Sequence, residues 1–443
     1  MALPPGPRSP ALVQTLLYLA RPSEFIRDCH RRYGDVFTIS TIIFGPEVAV
    51  VRPEHVKLVF TGDPDRLRAG EANEALEPLV GRHSVLLLDG AEHLRQRRLL
   101  MPPFLGSRMQ TYAAIMRDIA TRAVARWPRG KRIILHREIQ QITLEVILRT
   151  VFGADEGAEL EALREAILAL LARIGSPITI LGTAPMLRRN AWGLSPWATF
   201  QRAIRRVHTL IHQQIERRRA DPAASERADV LSLLLAARDE EGNAMSDVEL
   251  RDELMTLLAA GHETTATELA WTFELVLRDP NVGRRVRAEI KAAQRTEDGA
   301  PDFDRMPFVD ATIKEVLRLR PVIPAVARRV KEDMVVGGFD VPAGMLLVPV
   351  GFLTHLLPEL YPDPQAFRPE RFLDVKTDPY NWLPFGGGIR RCIGMAFALF
   401  EMKVVLATVL SQVELHLLEA RPERAALRGF THAPAKGVPV RVA

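Results

Sequence analysis

Cysteine is almost absent. Cys29 and Cys392 are the two thiols in 443 residues, and 363 positions separate them. That excludes a disulfide-stapled secreted module, and two thiols cannot by themselves make a four-thiolate zinc or iron–sulfur site. A reducing compartment is the default reading. Lysine is also scarce: 51 of the 59 cations are Arg and 8 are Lys. They are scattered among acids, with no basic tract, zinc finger or aromatic-rich RNA motif, so no nucleic-acid partner is expected. No stretch reaches the ~18–20 uninterrupted apolar residues that span a bilayer. The best N-terminal candidate, Ala11 to Ala20, is short, contains Gln14 and lacks the basic n-region of a signal peptide. No integral membrane anchor is expected, and the location reads as cytoplasmic.

What is present reads as globular: 47% hydrophobic and 26% charged residues, with a net charge of +5. At about 150 residues per domain, length alone points to roughly three domains. The pattern along the chain points instead to one large domain over residues 1–443, after a Pro-rich lead-in of about 20 residues. No internal repeat or low-complexity linker divides it. The polar stretches Arg219–Arg227 and Thr296–Asp304 are too short to separate domains.

Most of the chain has helical periodicity. Glu159–Ile174 is one helix. Ser195–Arg219 is another, with Ser195 as N-cap and Pro196 in the first turn. The longest begins at Ser246, where Ser246 and Glu249 fit a capping box, and runs to Leu277 before Asp279-Pro280. About 32 residues at 1.5 Å each give about 48 Å, enough to cross a domain. Strands are short: Asp35–Ser40 with Glu47–Val51, a hairpin over Val335–Val350, and short apolar runs after Phe430. The fold class is mainly α with a small β region (α+β), and a monomer is expected.

The sharpest segment is Pro384-Phe385-Gly386-Gly387-Gly388-Ile389-Arg390-Arg391-Cys392-Ile393-Gly394, followed by an apolar helix. Three glycines allow a tight turn with exposed N–H groups, which can donate to a thiolate and lower its pKa. Arg390 adds a cation, and Gly394 leaves room for something flat. The pattern fits a cysteine held as ligand or nucleophile. The plain alternative is a buried free thiol behind a Gly-rich turn. A phosphate loop is excluded as a close match, since no Gly-Lys-Ser/Thr follows.

This segment resembles the heme-binding loop of the cytochrome P-450 superfamily: Phe385, Gly388, Arg390, Cys392 and Gly394 fill that pattern without departure. Four other stretches resemble the family in order and spacing. Glu315-Val316-Leu317-Arg318, with Arg371 in the meander-like Phe367–Phe372, implies a buried structural triad of Glu315, Arg318 and Arg371. Ala260-Gly261-His262-Glu263-Thr264 lies mid-helix, where a glycine beside β-branched residues weakens the helix locally and invites a kink or groove. The resemblance implies that Thr264 sits on the oxygen-binding side and that Glu263 belongs to a proton relay. His262 is read as a non-ligand. His93 and Arg97 share a helix face and, with Arg328, are implied to bind heme propionates, although Arg329 leaves that assignment open to a slip of one. Leu357 stands where many relatives have Asp and touches no assigned chemistry.

The resemblance implies heme b with Cys392 as axial ligand, Phe385 against the thiolate side of the ring, and no bound flavin or iron–sulfur cluster. The chain ends about 50 residues after Cys392 with no reductase stretch. Electrons are therefore expected from a separate ferredoxin and ferredoxin reductase, docking near Arg95, Arg98 and Arg391. Pocket positions implied are Leu79, Ile178, Ala259, Ala260, Ile323, Val326 and Thr431. Their apolar character implies a bulky apolar substrate: a fatty acid, terpenoid, steroid or polyketide. The expected activity is monooxygenation by hydroxylation or epoxidation. A peroxygenase or a non-catalytic heme protein on the same fold is the alternative.

Overall fold

The computed structural model describes residues 2–104, 108–153, 157–174, 195–293, 301–429 and 431–443. Helices of eight residues or more are numbered in chain order. They are α1 (Ala11–Ala20), α2 (Pro22–Tyr33), α3 (Pro53–Thr61), α4 (Gly90–Leu100), α5 (Arg108–Ala125) and α6 (Leu135–Phe152). Then come α7 (Ala158–Ile174), α8 (Pro196–Ala220), α9 (Asp247–Arg278), α10 (Pro280–Ala293), α11 (Pro307–Leu319) and α12 (Met395–Gln412).

The helix ends follow local chemistry. The Ser195 hydroxyl accepts from the Ala198 N–H at 3.1 Å and Pro196 opens α8, as the spacing predicts. Ser246 and Glu249 form the expected reciprocal capping box at the start of the 32-residue α9. α9 runs through the middle of the fold, packed on α6, α11 and α12, and α12 packs on α5. The main hydrophobic core reaches from Val85 to Val442 and joins these helices. α12 is long and apolar enough to cross a membrane by composition, but it is a core helix here, mostly buried.

The largest sheet has five strands in the order β1 (Val36–Thr41), β2 (Gly45–Val50), β8 (Leu346–Pro349), β5 (Arg328–Val330), β3 (Leu67–Arg68), while β4 (Arg132–Ile134) belongs to a separate sheet. β1 and β2 pair antiparallel, with Val36 opposite Val50. β6 (Met334–Val336) and β7 (Phe339–Val341) form the tight hairpin around Gly337-Gly338. The sequence pattern extends that hairpin to Val350, and here the structure differs. β8 leaves it to lie parallel to β2 and antiparallel to β5. The reason is two-sided burial. Leu346 and Val348 enter one hydrophobic cluster while Leu347 enters another, which suits a central strand rather than a hairpin arm. The Pro-rich lead-in is structured too. Thr38 N–H donates to the Pro5 carbonyl at 2.9 Å, and Ala11–Ala20 is helix rather than tail.

One strand residue is out of keeping with its place. Glu47 on β2 is buried and accepts one hydrogen bond, from the Thr41 hydroxyl at 3.2 Å. Burial pushes its carboxyl up to about 7. The folded chain therefore holds this proton more tightly than the unfolded chain. Stability is lost as pH rises from about 4.5 toward 7, with nothing further lost above. Glu47→Gln should remove that decline, raising stability at pH 8 by about 3 kcal/mol and changing little at pH 4. Urea melts at the two pH values measure it.

Candidate functional site

The Pro384–Gly394 loop feeds α12. Gly386 and Gly388 have φ of 67° and 62°, the left-handed region that glycine enters at least cost. Packing adds a second demand. A Cβ on Gly388 would sit 1.9 Å from the Phe60 carbonyl oxygen, and one on Gly387 would sit 2.5 Å from the Phe60 ring. The loop thus lies flush against α3. Gly394 serves differently, because a Cβ there would meet only Cys392 Sγ, at 4.0 Å. It keeps space open beside the sulfur. The Cys392 N–H donates to the Phe385 carbonyl at 3.0 Å and closes the loop. The Phe385 ring lies 5.8 Å from that of Trp382.

The Cys392 side chain is accessible although it lies deep within the fold. Burial pushes its thiol up, opposed by the Gly394 N–H, Arg97 and Arg391. Cys29 is buried and its thiol is pushed up to about 11, so it is inert.

Basic side chains crowd the same region. Burial, then Arg390, Arg97 and Arg328, push His93 down to about 3. Burial and Arg390 lower Arg328 to about 10. Arg390 is fully engaged: it donates to the Val85 and Leu88 carbonyls and to Asp89 at 2.5 Å. It stitches the cysteine loop to residues 85–89 rather than presenting an open charge. The others have no such partner. Among the described residues no carboxylate pairs with Arg97. Arg328 donates to the Ala327 carbonyl and lies over the Phe60 ring. His93 Nδ1 is buried with no partner. Unpaired positive charge at partly buried positions is costly unless an anion completes it.

The middle of α9 carries a second opening. Ala260 is exposed and Ala259 and Thr264 are half-exposed, while Leu254, Met255, Leu258, Thr265 and Ala266 around them are buried. The Thr264 hydroxyl donates to the Ala260 carbonyl at 2.6 Å. Glu263 turns toward α6, where it accepts from Gln140 Nε2 at 2.6 Å and from the Thr267 hydroxyl at 3.4 Å. Burial raises its carboxyl, against Gln140, Arg428 and Thr267. Gly261 does not break the helix, which is continuous. A Cβ there would lie 3.1 Å from Ile147 Cδ1, so the glycine lets α6 come close. His262 is buried 3.0 Å from the Thr143 hydroxyl and is pushed down to about 4. It is a neutral packing residue.

On the other flank, Glu315 and Arg318 of α11 are both fully buried and form two hydrogen bonds, at 2.7 and 2.8 Å. The remaining guanidinium N–H groups donate to the carbonyls of His355, Pro364 and Ala366. Arg371 completes the triad 3.4 Å from Glu315.

Sequence reasoning passed over three residues here. His355 Nε2 accepts from the Leu383 N–H at 2.8 Å, which leaves Nδ1 protonated to donate to the Arg318 carbonyl at 3.0 Å. It joins the buried pair to the loop that leads to Cys392, and nothing local in sequence marks it. Asp89 accepts from the Ala69, Gly70 and Glu71 N–H groups as well as from Arg390. Its turn-forming Asp-Gly was the only visible cue. Gln140 has no cue at all.

Of the implied pocket positions, Val326 packs with Val56, Phe60 and Leu383, and Leu79 packs on the main core. Ile323 is half-buried. Thr431 is buried with its hydroxyl on the Arg428 carbonyl at 2.9 Å. Ile178 lies outside the described residues. The segments around Ile323 and Thr431 do meet, since the His432 N–H donates to the Val322 carbonyl at 2.9 Å.

Two of the three cations of the implied docking patch are paired within the chain. Arg95 is locked to Asp239 at 2.6 Å and Glu249 at 2.7 Å, and Arg98 pairs with Glu240. Arg391 alone of the three forms no ion pair among the described residues. Net charge hides such pairing, because the acids come from residues 239–249, far along the chain.

A family model for cytochrome P450 matches residues 4–437. The Mycobacterium tuberculosis protein described as cytochrome P450 135B1 is 41% identical over 442 residues, covering 100% of this chain and 92% of its own. Cytochrome P450 138 of the same organism is 38% identical and covers 98% and 95%. Among solved structures, retinoic acid-bound cyanobacterial CYP120A1 superposes with a TM-score of 0.84 at 26% identity, over 100% of both chains. The chain belongs to the cytochrome P450 family. It is an oxygen-incorporating monooxygenase of that family, whose cofactor is heme with a cysteine thiolate ligand.

The residues present fit that group. Among the described residues no set of three or more His, Cys, Asp or Glu could hold a bare metal ion. A metal at Cys392 must therefore bring its other ligands, as a tetrapyrrole does. The propionates of heme would answer the unpaired charge of Arg97 and Arg328 and the partnerless Nδ1 of neutral His93.

Two outcomes follow for this P450. Arg318→Ala takes from buried Glu315 its two-bond partner, leaving it the more distant Arg371 and the Arg368 N–H, and should cost about 3–5 kcal/mol. Chemical melts of the apo-protein, or loss of folded protein altogether, would show it. Arg328→Met should weaken heme retention roughly tenfold with the far-UV circular dichroism unchanged, read as residual heme per protein after gel filtration.

Proposed function

We propose that this P450 binds heme b through Cys392 and inserts one oxygen atom into a bulky apolar substrate, with electrons from a separate ferredoxin and its reductase. The observation that carries the reading is an accessible thiol, deep in the fold, beside unpaired His93, Arg97 and Arg328. Bound heme supplies dioxygen activation, which takes two electrons and two protons, and returns the second oxygen as water.

The chain's own residues do the rest. The Gly394 N–H, with Arg97 and Arg391 nearby, stabilises negative charge on Cys392 Sγ. His93, Arg97 and Arg328 hold the propionates and so orient the ring. Arg390 keeps the loop in register through Asp89 and is a positioning residue. The Thr264 hydroxyl spends its hydrogen on the Ala260 carbonyl, so its lone pairs are left to hold a water. Glu263, its carboxyl raised by burial, is the acid placed on this helix to pass protons.

The segments expected to line the pocket, 322–326 and 431–432, are mostly apolar and adjacent, which supports a substrate such as a fatty acid, terpenoid, steroid or polyketide. A structural neighbour holds retinoic acid, an apolar isoprenoid acid. For the electron donor, Arg391 is the available cation of the expected patch, and an acidic ferredoxin suits it.

Cys392→Ala should abolish the red-shifted band of the reduced carbon monoxide complex, and its persistence would overturn the ligand assignment. Thr264→Ala should keep that band while product per electron consumed falls about tenfold or more. Turnover with peroxide alone, equal to that with ferredoxin and reductase, would replace monooxygenase by peroxygenase.

A further inference from the structure

A cavity of about 150 Å³ shares no residue with the cysteine loop or with the cations beside it. It sits where α2, the end of α11 and the hairpin of Ala425–Arg428 with Thr431–Pro434 meet. Trp271 of α9 forms part of its wall, and the indole N–H donates to the His432 carbonyl at 2.9 Å.

Three arginines border the cavity: Arg27 on α2, Arg320 just after α11, and Arg424 just before the hairpin. None of them forms an ion pair among the described residues. Arg27 lies over the Phe352 ring at 4.8 Å and Arg320 over the Trp271 ring at 5.5 Å. A ring attracts the cation but does not accept its in-plane N–H groups, which remain for an oxyanion. Arg27 Nε is buried without a partner, and Arg320 makes one long bond, 3.3 Å to the Leu319 carbonyl.

His432, which also borders a smaller apolar cavity, is 6% exposed, and its Nε2 is buried without a partner. Burial pushes the ring down to about 4, against Glu24, so it is neutral and can donate from Nε2. Two buried nitrogens without partners on residues of one cavity single it out, because such groups are costly to leave unpaired.

The acids nearby do not cancel this. Glu423 borders the cavity, but its oxygens accept from the Lys436 and Val438 N–H groups. Glu24 also borders it, exposed and in no ion pair among the described residues. Burial lowers the Arg320 guanidinium, and Arg27 lowers it further, against Glu274 and Glu268. Glu274 is held by Arg278 at 2.6 Å, and burial raises Glu268 well above the usual carboxylate range. Three arginines thus face one uncommitted carboxylate, and the free hydrogen-bonding groups are mostly donors. The volume falls below the ~300 Å³ at which pockets for whole drug-sized ligands begin, so it suits a head group.

We propose that this cavity binds the phosphate or carboxylate group of a small molecule through Arg27, Arg320, Arg424 and the His432 ring, at a site separate from Cys392. The bound anion ties α2 to the end of α11 and to the hairpin, and stabilises the folded chain as any ligand of the native state does.

The test is calorimetric titration of the full-length holoprotein with sodium phosphate and, separately, with sodium acetate, at an ionic strength fixed with sodium chloride. Heme then engages the cations beside Cys392. The expected result is one-site binding of at least one anion with a Kd of about 1 mM or tighter, and the tighter anion names the head group. Arg27→Gln and Arg424→Gln should each weaken binding about tenfold by removing a charge-assisted bond. Glu24→Gln removes the competing carboxylate and should tighten binding about twofold. Unchanged thermal melts without phosphate or acetate, and unchanged carbon monoxide bands, show that the variants fold. Failure of both anions to bind overturns the proposal. Binding that both arginine variants leave unchanged also overturns it, assigning the anion to other cations of the surface. Because the readout is binding to folded holoprotein, either result leaves the reading of Cys392 untouched.

Discussion

A fully buried ion pair, Glu315 with Arg318, is the constraint on which the rest of this P450 depends. Removing two charges from water is costly, and the cost is met only because every group has a partner. Arg318 has five N–H donors. Two go to Glu315, and the others to the carbonyls of His355, Pro364 and Ala366. Glu315 in turn accepts from the Arg368 N–H at 2.9 Å. A stretch with little regular structure, 355–368, is thereby held by side-chain hydrogen bonds in place of a sheet or helix ladder. His355 carries the order onward to Leu383, one residue before the cysteine loop. The position of Cys392 is thus set from α11 by a chain of satisfied polar groups, and any break in it leaves charge buried.

The site itself is built on the opposite principle. Here polar groups are left unsatisfied. His93 Nδ1 has no partner, Arg97 has no carboxylate, and Arg328 has only the Ala327 carbonyl and an aromatic ring. Arg328 follows Arg318 by ten residues and His93 and Arg97 lie far upstream, yet the Glu315–Arg318 pair closes every bond and the other region leaves several open. Such surplus positive charge is tolerable when an anion is the missing partner, and the loop glycines show the same logic in shape. Gly387 and Gly388 are filled against by Phe60, whereas Gly394 borders open space.

α1 and α12 show why burial cannot be read from hydropathy alone. α12 is the longer helix, no more apolar on average than α1, and is a core element, with Glu401 and Lys403 buried among its neighbours. α1 is short and turns Leu12, Leu16 and Leu19 outward because Gln14 and Thr15 are needed by β1 and the turn that follows. Backbone N–H groups of a short sheet edge must be paired, and here two helix side chains accept from them.

The residues that by themselves determined structure and chemistry were those acting over short range. The capping box at Ser246, the proline start at Pro196 and the Gly-rich string before Cys392 are local signals, and local geometry obeys them. The family pattern was legible for the same reason, since its spacing is short within each motif. Only the tertiary structure decided the long-range matters. It placed β8 in the centre of the large sheet and spent Arg95 on Asp239 and Glu249. It committed Arg390 to Asp89 and turned Glu263 toward Gln140. Each of these joins residues dozens to hundreds of positions apart. Which donor meets which acceptor is fixed by how helices pack, and a single sequence carries no local mark of the partner.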